Sequence, residues 1–178
     1  DCTWGMIVDK DYWKAREGDH ATLESEAEKY LKINNLALED RPADIAFTTH
    51  ICRGNYHSTY ACRGAYDPVA PFVFAQENVD AFYLEYDDER SGGFEPLEYV
   101  PADKKVVLGL ITTKRPELED EAQVKARIAD AELYVAHDNL CLSPQCGFAS
   151  CEIGNKLTEE EQWAKIDLVQ KIAADVWK

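Results

Sequence analysis

Residues 105–120 read KVVLGLITTKRPELED. The segment opens with a nearly continuous apolar run, which is typical of a strand buried on both faces of a parallel sheet. Polar residues at 112–116 end this strand, and the pattern of residues 117–132 predicts an amphipathic helix after it. A strand, a loop and a helix in this order form the unit that the rest of the chain repeats.

The other predicted elements follow the same alternation. The remaining strands are short apolar runs at residues 44–49, 79–86 and 139–143. The remaining helices are an amphipathic segment at 19–38 with Asp19 as its N-cap, a helix that Asp67 and Pro68 begin, and a last helix that a Thr158/Glu161 capping box opens. Alternating helices and strands imply a parallel sheet covered by helices, with about four βα units.

Two architectures share this local pattern, an open doubly wound sheet and a (β/α)8 barrel. A complete barrel needs about 250 residues, whereas this chain has 178 residues. We therefore expect residues 1–178 to form a single α/β domain, which as a barrel would be incomplete. In both architectures the functional groups lie at the carboxyl ends of the strands.

The charge of the chain excludes one class of partner. There are 19 Lys and Arg residues against 34 Asp and Glu residues, a formal net charge of −15. Such a chain has no basic surface for nucleic acid.

No stretch approaches the roughly 18 consecutive apolar residues of a membrane helix, and the N-terminal residues lack the pattern of a signal peptide. We expect a soluble, cytoplasmic protein that binds neither nucleic acid nor a membrane.

Six cysteines are many for a chain of this length, at positions 2, 52, 62, 141, 146 and 151. An even number permits a disulfide framework, and a secreted, disulfide-bonded domain is one interpretation. A domain of this size buries enough surface to fold without disulfides. Reduced thiols, some of them metal ligands, are therefore the favoured interpretation.

Metal-binding residue types follow three of the four predicted strands. His50 and Cys52 follow the first strand, Glu85 ends the second, and Cys146 follows the fourth. Because parallel strands end at one edge of a sheet, we expect these side chains to converge, and imidazole, thiolate and carboxylate are ligands that suit zinc. Each residue also has a structural interpretation, as a buried thiol, a hydrogen-bonded histidine, a turn residue or an ion pair between Glu85 and Arg90.

Several segments resemble one enzyme family. Residues 48–55 (TTHICRGN) resemble the zinc-binding His-x-Cys strand end of cobalamin-independent methionine synthase. Glu85, within FYLEYDDERSGGFEPL, resembles the zinc-site glutamate of that family, and residues 143–147 (SPQCG) resemble the segment with its last cysteine. Residues 1–4 (DCTW) are similar to the end of the strand whose acidic pair helps to hold the amino-acid substrate. The segments HICRGN, EYDDERSG and LITTKRPELE are most similar to short, single-barrel methionine-synthase-like proteins.

The resemblance implies the C-terminal half of a (β/α)8 barrel, strands five to eight, as part of a longer protein. It implies a Zn²⁺-dependent methyltransferase that moves a methyl group from a methyl-tetrahydrofolate to a thiol such as homocysteine, giving methionine. The implied zinc ligands are His50, Cys52, Glu85 and Cys146. The implied substrate-binding residues are Asp1 and Arg90.

The chain departs from the family pattern after its third predicted strand. The larger enzymes have a His-Ser-Pro stretch there, whose histidine is a candidate proton donor, whereas this chain has Ile111, Thr112, Thr113 and Lys114. The methyl donor and the acceptor thiol are therefore open. An inactive fragment that binds structural zinc or a thiol is the alternative function.

Two further expectations concern surfaces. A half barrel would expose unpaired strand edges, which predicts association with a second copy of the chain or with the missing barrel half. The acidic residues 87–89 are interpreted as solvated surface.

Overall fold

A computed structural model of the chain describes residues 1–16 and 20–178. Its strands are β1 (Thr48–Ile51), β2 (Ala81–Glu85), β3 (Lys105–Ile111) and β4 (Leu140–Pro144). Its α-helices are α1 (Thr3–Ile7), α2 (Lys10–Ala15), α3 (Leu23–Ala37), α4 (Ala70–Gln76), α5 (Glu121–Ala131) and α6 (Glu159–Val176). Short 3₁₀ turns lie at Glu89–Ser91, Glu95–Tyr99 and His137–Asn139.

The four strands form one parallel sheet in the order β1-β2-β3-β4. In its register, one row across the sheet joins His50, Tyr83, Val107 and Cys141. The prediction of an α/β fold with parallel strands and helices outside is confirmed. Across the described strands the order is sequential, so the reversal of strand order that defines a doubly wound sheet does not occur there.

One face of the sheet forms the core. Its side chains are buried against α4, α5 and α6, and they include Phe82, Leu84, Val106, Leu108 and Leu140. Burying each such side chain contributes about 1.5–3 kcal/mol. The opposite face is more open, since Tyr83 of the central strand β2 remains 39% exposed. The functional groups therefore lie where the open face meets the carboxyl ends of the strands.

Strand β1 begins later than the predicted strand at 44–49. The reason is a side-chain contact, because Asp80 accepts a hydrogen bond from the Phe47 amide at 2.7 Å and is itself paired with Arg41 at 3.0 Å. The Phe47 amide is therefore bonded to a carboxylate instead of a neighbouring strand, and Ile45 is 53% exposed. This shift places His50 inside the strand.

Three helices also begin later than predicted. Helix α5 begins at Glu121 instead of near residue 117, because the Asp120 side chain caps it by accepting from the Gln123 amide. Helix α3 begins at Leu23, where Thr22 forms a capping box with Ser25; the predicted cap Asp19 lies outside the described residues. Helix α4 begins at Ala70, because the Tyr66 carbonyl accepts hydrogen bonds from the amides of Val69 and Ala70 and so forms a turn before the helix.

Within the described part of the chain, no helix has both the length and the apolar character that a membrane crossing needs.

Candidate metal centre

The four predicted ligand residues lie together at the carboxyl edge of the sheet. The ligand atoms of His50, Cys52, Glu85 and Cys146 are all within 4.8 Å of one another. They come from the end of β1, the end of β2 and the loop after β4. A small open cleft of about 240 Å³ reaches His50 and Cys146. The convergence expected from parallel topology is therefore present in the geometry.

The imidazole of His50 is oriented by the neighbouring strand. Its Nδ1 lies 3.2 Å from the Tyr83 carbonyl oxygen, and since a carbonyl only accepts, Nδ1 carries the proton. The lone pair of Nε2 then points into the cluster, 3.8 Å from a Glu85 oxygen. This Nε2 is buried and has no hydrogen-bond partner among the described residues. A buried nitrogen without a partner costs about 1–3 kcal/mol, and a cation at the cluster would satisfy it.

The two cluster thiols shift each other's pKa in opposite directions. A hydrogen bond to Cys146, together with burial, raises the pKa of Cys52. The same hydrogen bond lowers the pKa of Cys146, although burial opposes the shift. All six cysteines of the chain carry free thiols. The pair can therefore present thiolate ligands to a metal, which would displace the remaining proton.

Glu85 is held from several directions. Its side chain is fully buried, with one carboxylate oxygen 2.7 Å from the Arg90 guanidinium and the other 3.1 Å from the Arg53 amide. The Tyr66 hydroxyl donates to the Glu85 carbonyl at 3.2 Å and accepts from the Glu85 amide at 3.1 Å. Burial raises the pKa of Tyr66 to about 12, so this hydroxyl keeps its proton at neutral pH. The carboxylate of Glu85 is therefore fixed in place before any metal binds.

Arg90 makes the ion pair with Glu85 that the sequence left open. Its guanidinium is also 2.7 Å from Asp87 and contacts Asp88. Burial opposes the charge, but the carboxylates of Asp87 and Glu85 raise the pKa of Arg90. The side chains of Arg90 and Asp87 are only 4% and 2% exposed. The interpretation of residues 87–89 as solvated surface is therefore wrong for Asp87, which is buried as a partner of Arg90.

The position of Cys146 depends on a glycine in the neighbouring strand. Pairing between β3 and β4 shifts its register after Gly109, and the backbone of Gln145 then passes close to β3. A Cβ atom on Gly109 would lie 2.6 Å from the Leu84 carbonyl oxygen and 2.7 Å from the Cα of Gln145. Only glycine leaves this space free. Because Gly109 is the register partner of Glu85, the crossing brings Cys146 toward the Glu85 carboxylate.

Asp1 lies beside the end of β1. Its backbone nitrogen donates to the His50 carbonyl at 2.5 Å, and its carbonyl accepts from the Cys52 amide at 2.9 Å. Its carboxylate accepts from the Thr3 amide at 2.8 Å and from the Asn34 side chain at 3.2 Å. The structure thus places Asp1 next to the two ligand residues of β1, with its carboxylate outside the cluster.

Sequence reasoning missed the polar residues that hold the Cys146 loop. They are Asn55, Thr113 and Asn155, from the loops after β1, β3 and β4. No spacing rule connects residues this far apart in sequence. The available signal was that Asn55 lies in the quoted segment TTHICRGN close to two ligand residues.

Comparison with known proteins identifies the family of the chain. The family model for the catalytic domain of cobalamin-independent synthases matches residues 14–173. Two uncharacterised proteins of Bacillus subtilis strain 168 are similar over the whole chain: YxjG is 51% identical over 179 residues, and YxjH is 49% identical over 182 residues. The chain covers 47% and 48% of their lengths, so it spans about half of these relatives.

Two solved structures share the fold. A Listeria monocytogenes protein assigned as a vitamin-B12-independent methionine synthase matches all of the chain with a TM-score of 0.74 and 37% identity, over 47% of its own length. A B12-independent methionine synthase from Shewanella sp. W3-18-1, in complex with selenomethionine, matches 85% of the chain with a TM-score of 0.69. Its identity is 22% and the match covers 44% of its length, so this likeness concerns the fold alone. From the family match over residues 14–173, the chain belongs to the catalytic-domain family of the cobalamin-independent synthases.

Proposed function

We propose that this chain carries the metal centre of a zinc-dependent methyltransferase. The reaction would move a methyl group from a donor such as methyl-tetrahydrofolate to a thiol such as homocysteine, giving methionine. One observation carries the proposal: two thiols, an imidazole and a carboxylate converge within 4.8 Å. The buried, unpartnered Nε2 of His50 and the family membership support it.

The ligand set fits zinc. Two sulfur atoms, one nitrogen and one oxygen suit a borderline-soft ion that prefers four ligands in a tetrahedron. In such a tetrahedron neighbouring ligand atoms are about 3.3–3.8 Å apart, so small inward movements of the four side chains would complete it. When bound, zinc would hold a substrate thiol as its thiolate at neutral pH, which is the nucleophile that methyl transfer needs.

Arg90 has a role in this proposal through Glu85. Its guanidinium contacts carboxylates and is nearly excluded from solvent, so we propose that it acts on the substrate indirectly. It neutralises one oxygen of Glu85 and fixes the other toward His50. Glu85 therefore keeps a favourable partner whether or not it is bound to a metal. A substrate thiol would therefore replace Glu85 as a metal ligand at a low cost in free energy.

Asp1 is proposed to hold the amino group of the acceptor amino acid. Its backbone is bonded to His50 and Cys52, so the residue lies beside two of the four cluster residues. A carboxylate at this place would attract an ammonium group and so orient the thiol of the same molecule.

We also propose that residues 1–178 act as one domain and correspond to the C-terminal half of a (β/α)8 barrel. Strands β1 and β4 lie at the edges of the sheet, and the chain spans about half of its relatives. These edges would pair with another set of strands, either the other half of the barrel or a second copy.

Metal binding is the first test. The chain is purified without added zinc, loaded with Zn²⁺ or Co²⁺, and its metal content and Co²⁺ absorption are measured. We expect one equivalent of metal and a sulfur-to-cobalt band that Cys146→Ser weakens. Cys141→Ser is the matched control, since Cys141 is a half-buried thiol on β4 outside the cluster. Substoichiometric metal, or equal spectra for both variants, contradicts the proposed centre.

Methyl transfer is the second test. Zinc-loaded protein is incubated with 5-methyl-tetrahydrofolate and homocysteine, and methionine is measured by mass spectrometry. Formation of methionine that depends on Cys146 supports the methyltransferase. Bound zinc without a change in its X-ray absorption on adding thiols would instead support a structural metal site.

A further inference from the structure

Asn55, in the loop after β1, joins three loops at once. Its side-chain nitrogen donates to the Gly147 carbonyl at 2.6 Å and to the Ser150 hydroxyl at 2.7 Å. Its side-chain oxygen accepts from Lys114 at 3.2 Å and from the Asn155 amide group at 3.1 Å. The residue is 8% exposed. All four hydrogen-bonding positions of this buried amide are therefore in use.

The orientation of this amide is determined by its partners. The ammonium of Lys114 only donates hydrogen bonds, so the atom that faces it must be the oxygen of Asn55. The amide nitrogen then faces the Gly147 carbonyl, which only accepts. If the amide were flipped, its NH₂ group would face the Lys114 ammonium, donor against donor. Its oxygen would face the Gly147 carbonyl, acceptor against acceptor.

Both groups that accept hydrogen bonds from the Asn55 side-chain nitrogen belong to the Cys146 loop. Gly147 follows Cys146 directly, and the Ser150 hydroxyl lies 3.6 Å from the Cys146 sulfur. The Gln145 amide still donates to the Ile111 carbonyl of β3 at 2.8 Å, and Cys146 lies just past this contact, where side chains help to hold the segment in place. Asn55 ties it to the loop that follows Cys52.

The surrounding residues restrain the same loop. Thr113 donates from its hydroxyl to the Gly147 carbonyl at 3.0 Å, and Asn155 donates to the Thr113 carbonyl at 2.8 Å. The Asn155 oxygen accepts from the Ser58 amide at 2.9 Å. These bonds prevent the Asn55 amide from rotating, so the loops after β1, β3 and β4 form one connected unit.

We propose that Asn55 is the positioning residue of the metal centre. It does not ligate a metal; it locks the Cys146 loop against the β1 loop and so sets the spacing between the Cys52 and Cys146 sulfurs. This inference rests on the proposed metal site and adds to it the residue outside the ligand set that controls its affinity. Loss of an outer residue that orients a ligand typically lowers metal affinity by about 10–100-fold.

The test uses Asn55→Asp, which has nearly the same shape. It keeps an oxygen toward Lys114 and replaces the donor that faces the Gly147 carbonyl with an acceptor. Zn²⁺ affinity is measured by competition with a chelator, together with the Co²⁺ absorption spectrum and thermal unfolding without metal. We expect affinity to fall about 10–100-fold with an altered cobalt spectrum.

Asn35→Asp is the matched control. The Asn35 side chain donates to the Gln76 carbonyl at 2.9 Å and accepts from the Asn78 amide at 2.7 Å, away from the cluster. Its metal affinity should remain that of the unsubstituted chain even where its stability falls. A milder variant, Asn55→Ser, is used if Asn55→Asp does not fold, and it should lose less affinity. Equal affinities for the Asn55 and Asn35 variants would overturn the proposal.

A second readout does not depend on metal. The Cys52 and Cys146 sulfurs lie within 4.8 Å of each other, so mild oxidation should join them in the metal-free chain. We expect Asn55→Asp to slow formation of the Cys52–Cys146 disulfide, measured by peptide mass spectrometry, while Asn35→Asp leaves its rate unchanged. If the unsubstituted chain binds no metal, the proposed function fails, and this rate alone then decides whether Asn55 positions the loop.

Discussion

The Glu85 side and the Cys146 side of the cluster are held in different ways. Glu85 ends the central strand β2, is fully buried, and is paired with Arg90 at 2.7 Å. Cys146 lies in an irregular loop after the edge strand β4 and is half-buried. Strand pairing and buried charge position the first ligand, whereas hydrogen bonds from Asn55 and Thr113 position the loop of the second. Damage on the Glu85 side should therefore lower stability, and damage on the Cys146 side should lower metal affinity.

Arg90→Met should have the largest effect on the free energy of unfolding. It leaves the buried carboxylates of Glu85 and Asp87 without their cation, and breaking a buried ion pair in this way costs about 3–5 kcal/mol. Urea unfolding of the metal-free chain measures the change. Arg41→Met is the control, because its pair with the more exposed Asp80 is worth about 0–1 kcal/mol. Similar losses in both variants would remove the contrast between the two kinds of contact.

Metal binding should stabilise the chain only when both sides of the cluster are intact. At a free Zn²⁺ concentration about 100-fold above the dissociation constant, the free energy of unfolding of the unsubstituted chain should rise by about 2.7 kcal/mol. In Cys146→Ser, Zn²⁺ should add little to the free energy of unfolding. Without metal, this variant should be nearly as stable as the unsubstituted chain. Calorimetric melting with and without Zn²⁺ measures both values, and a full gain in Cys146→Ser would show that Cys146 is not a ligand.

Gly109→Ala should affect both sides together. The new methyl group would meet the Leu84 carbonyl and the Gln145 backbone, and overpacking of this kind costs about 1–3 kcal/mol. Because Gln145 must move, metal affinity should fall as well. Gly147→Ala is the control, since the nearest atom to its added carbon is the Ser150 hydroxyl oxygen at 3.7 Å. Chemical unfolding and metal titration of the two variants provide the comparison.

Ser150→Ala should have the smallest effect. It removes one of the two acceptors of the Asn55 amide at an exposed position, and one such hydrogen bond is worth about 0.5–1.5 kcal/mol. We expect a few-fold weaker metal binding with little change in unfolding. Ser143→Ala serves for comparison, because its hydroxyl bonds only to the adjacent Pro144 carbonyl among the described contacts. Weaker binding in Ser143→Ala than in Ser150→Ala would contradict the role given to the loop.

Local patterns predicted the elements whose ends are encoded nearby. Strand β3 spans the apolar run at 105–111, and α6 begins directly after Thr158, the N-cap of the predicted Thr158/Glu161 capping box. Strand β1 was misplaced because its start depends on Asp80, a residue distant in sequence. The four cluster residues were found because parallel topology sends all strand ends to one edge. Asn55 and Asn155 meet across a separation of 100 residues, and only the folded chain reveals that contact.

The cluster draws its members from both outer strands of the sheet, β1 and β4. A folding intermediate that has paired only β1, β2 and β3 would contain three of the four side chains and lack Cys146. Non-local contacts of this kind form late because long loops must close first. Tight capture of an ion would then be a late event in folding. During refolding in the presence of Co²⁺, the rate at which the cobalt absorption band appears would then report the rate at which β4 docks.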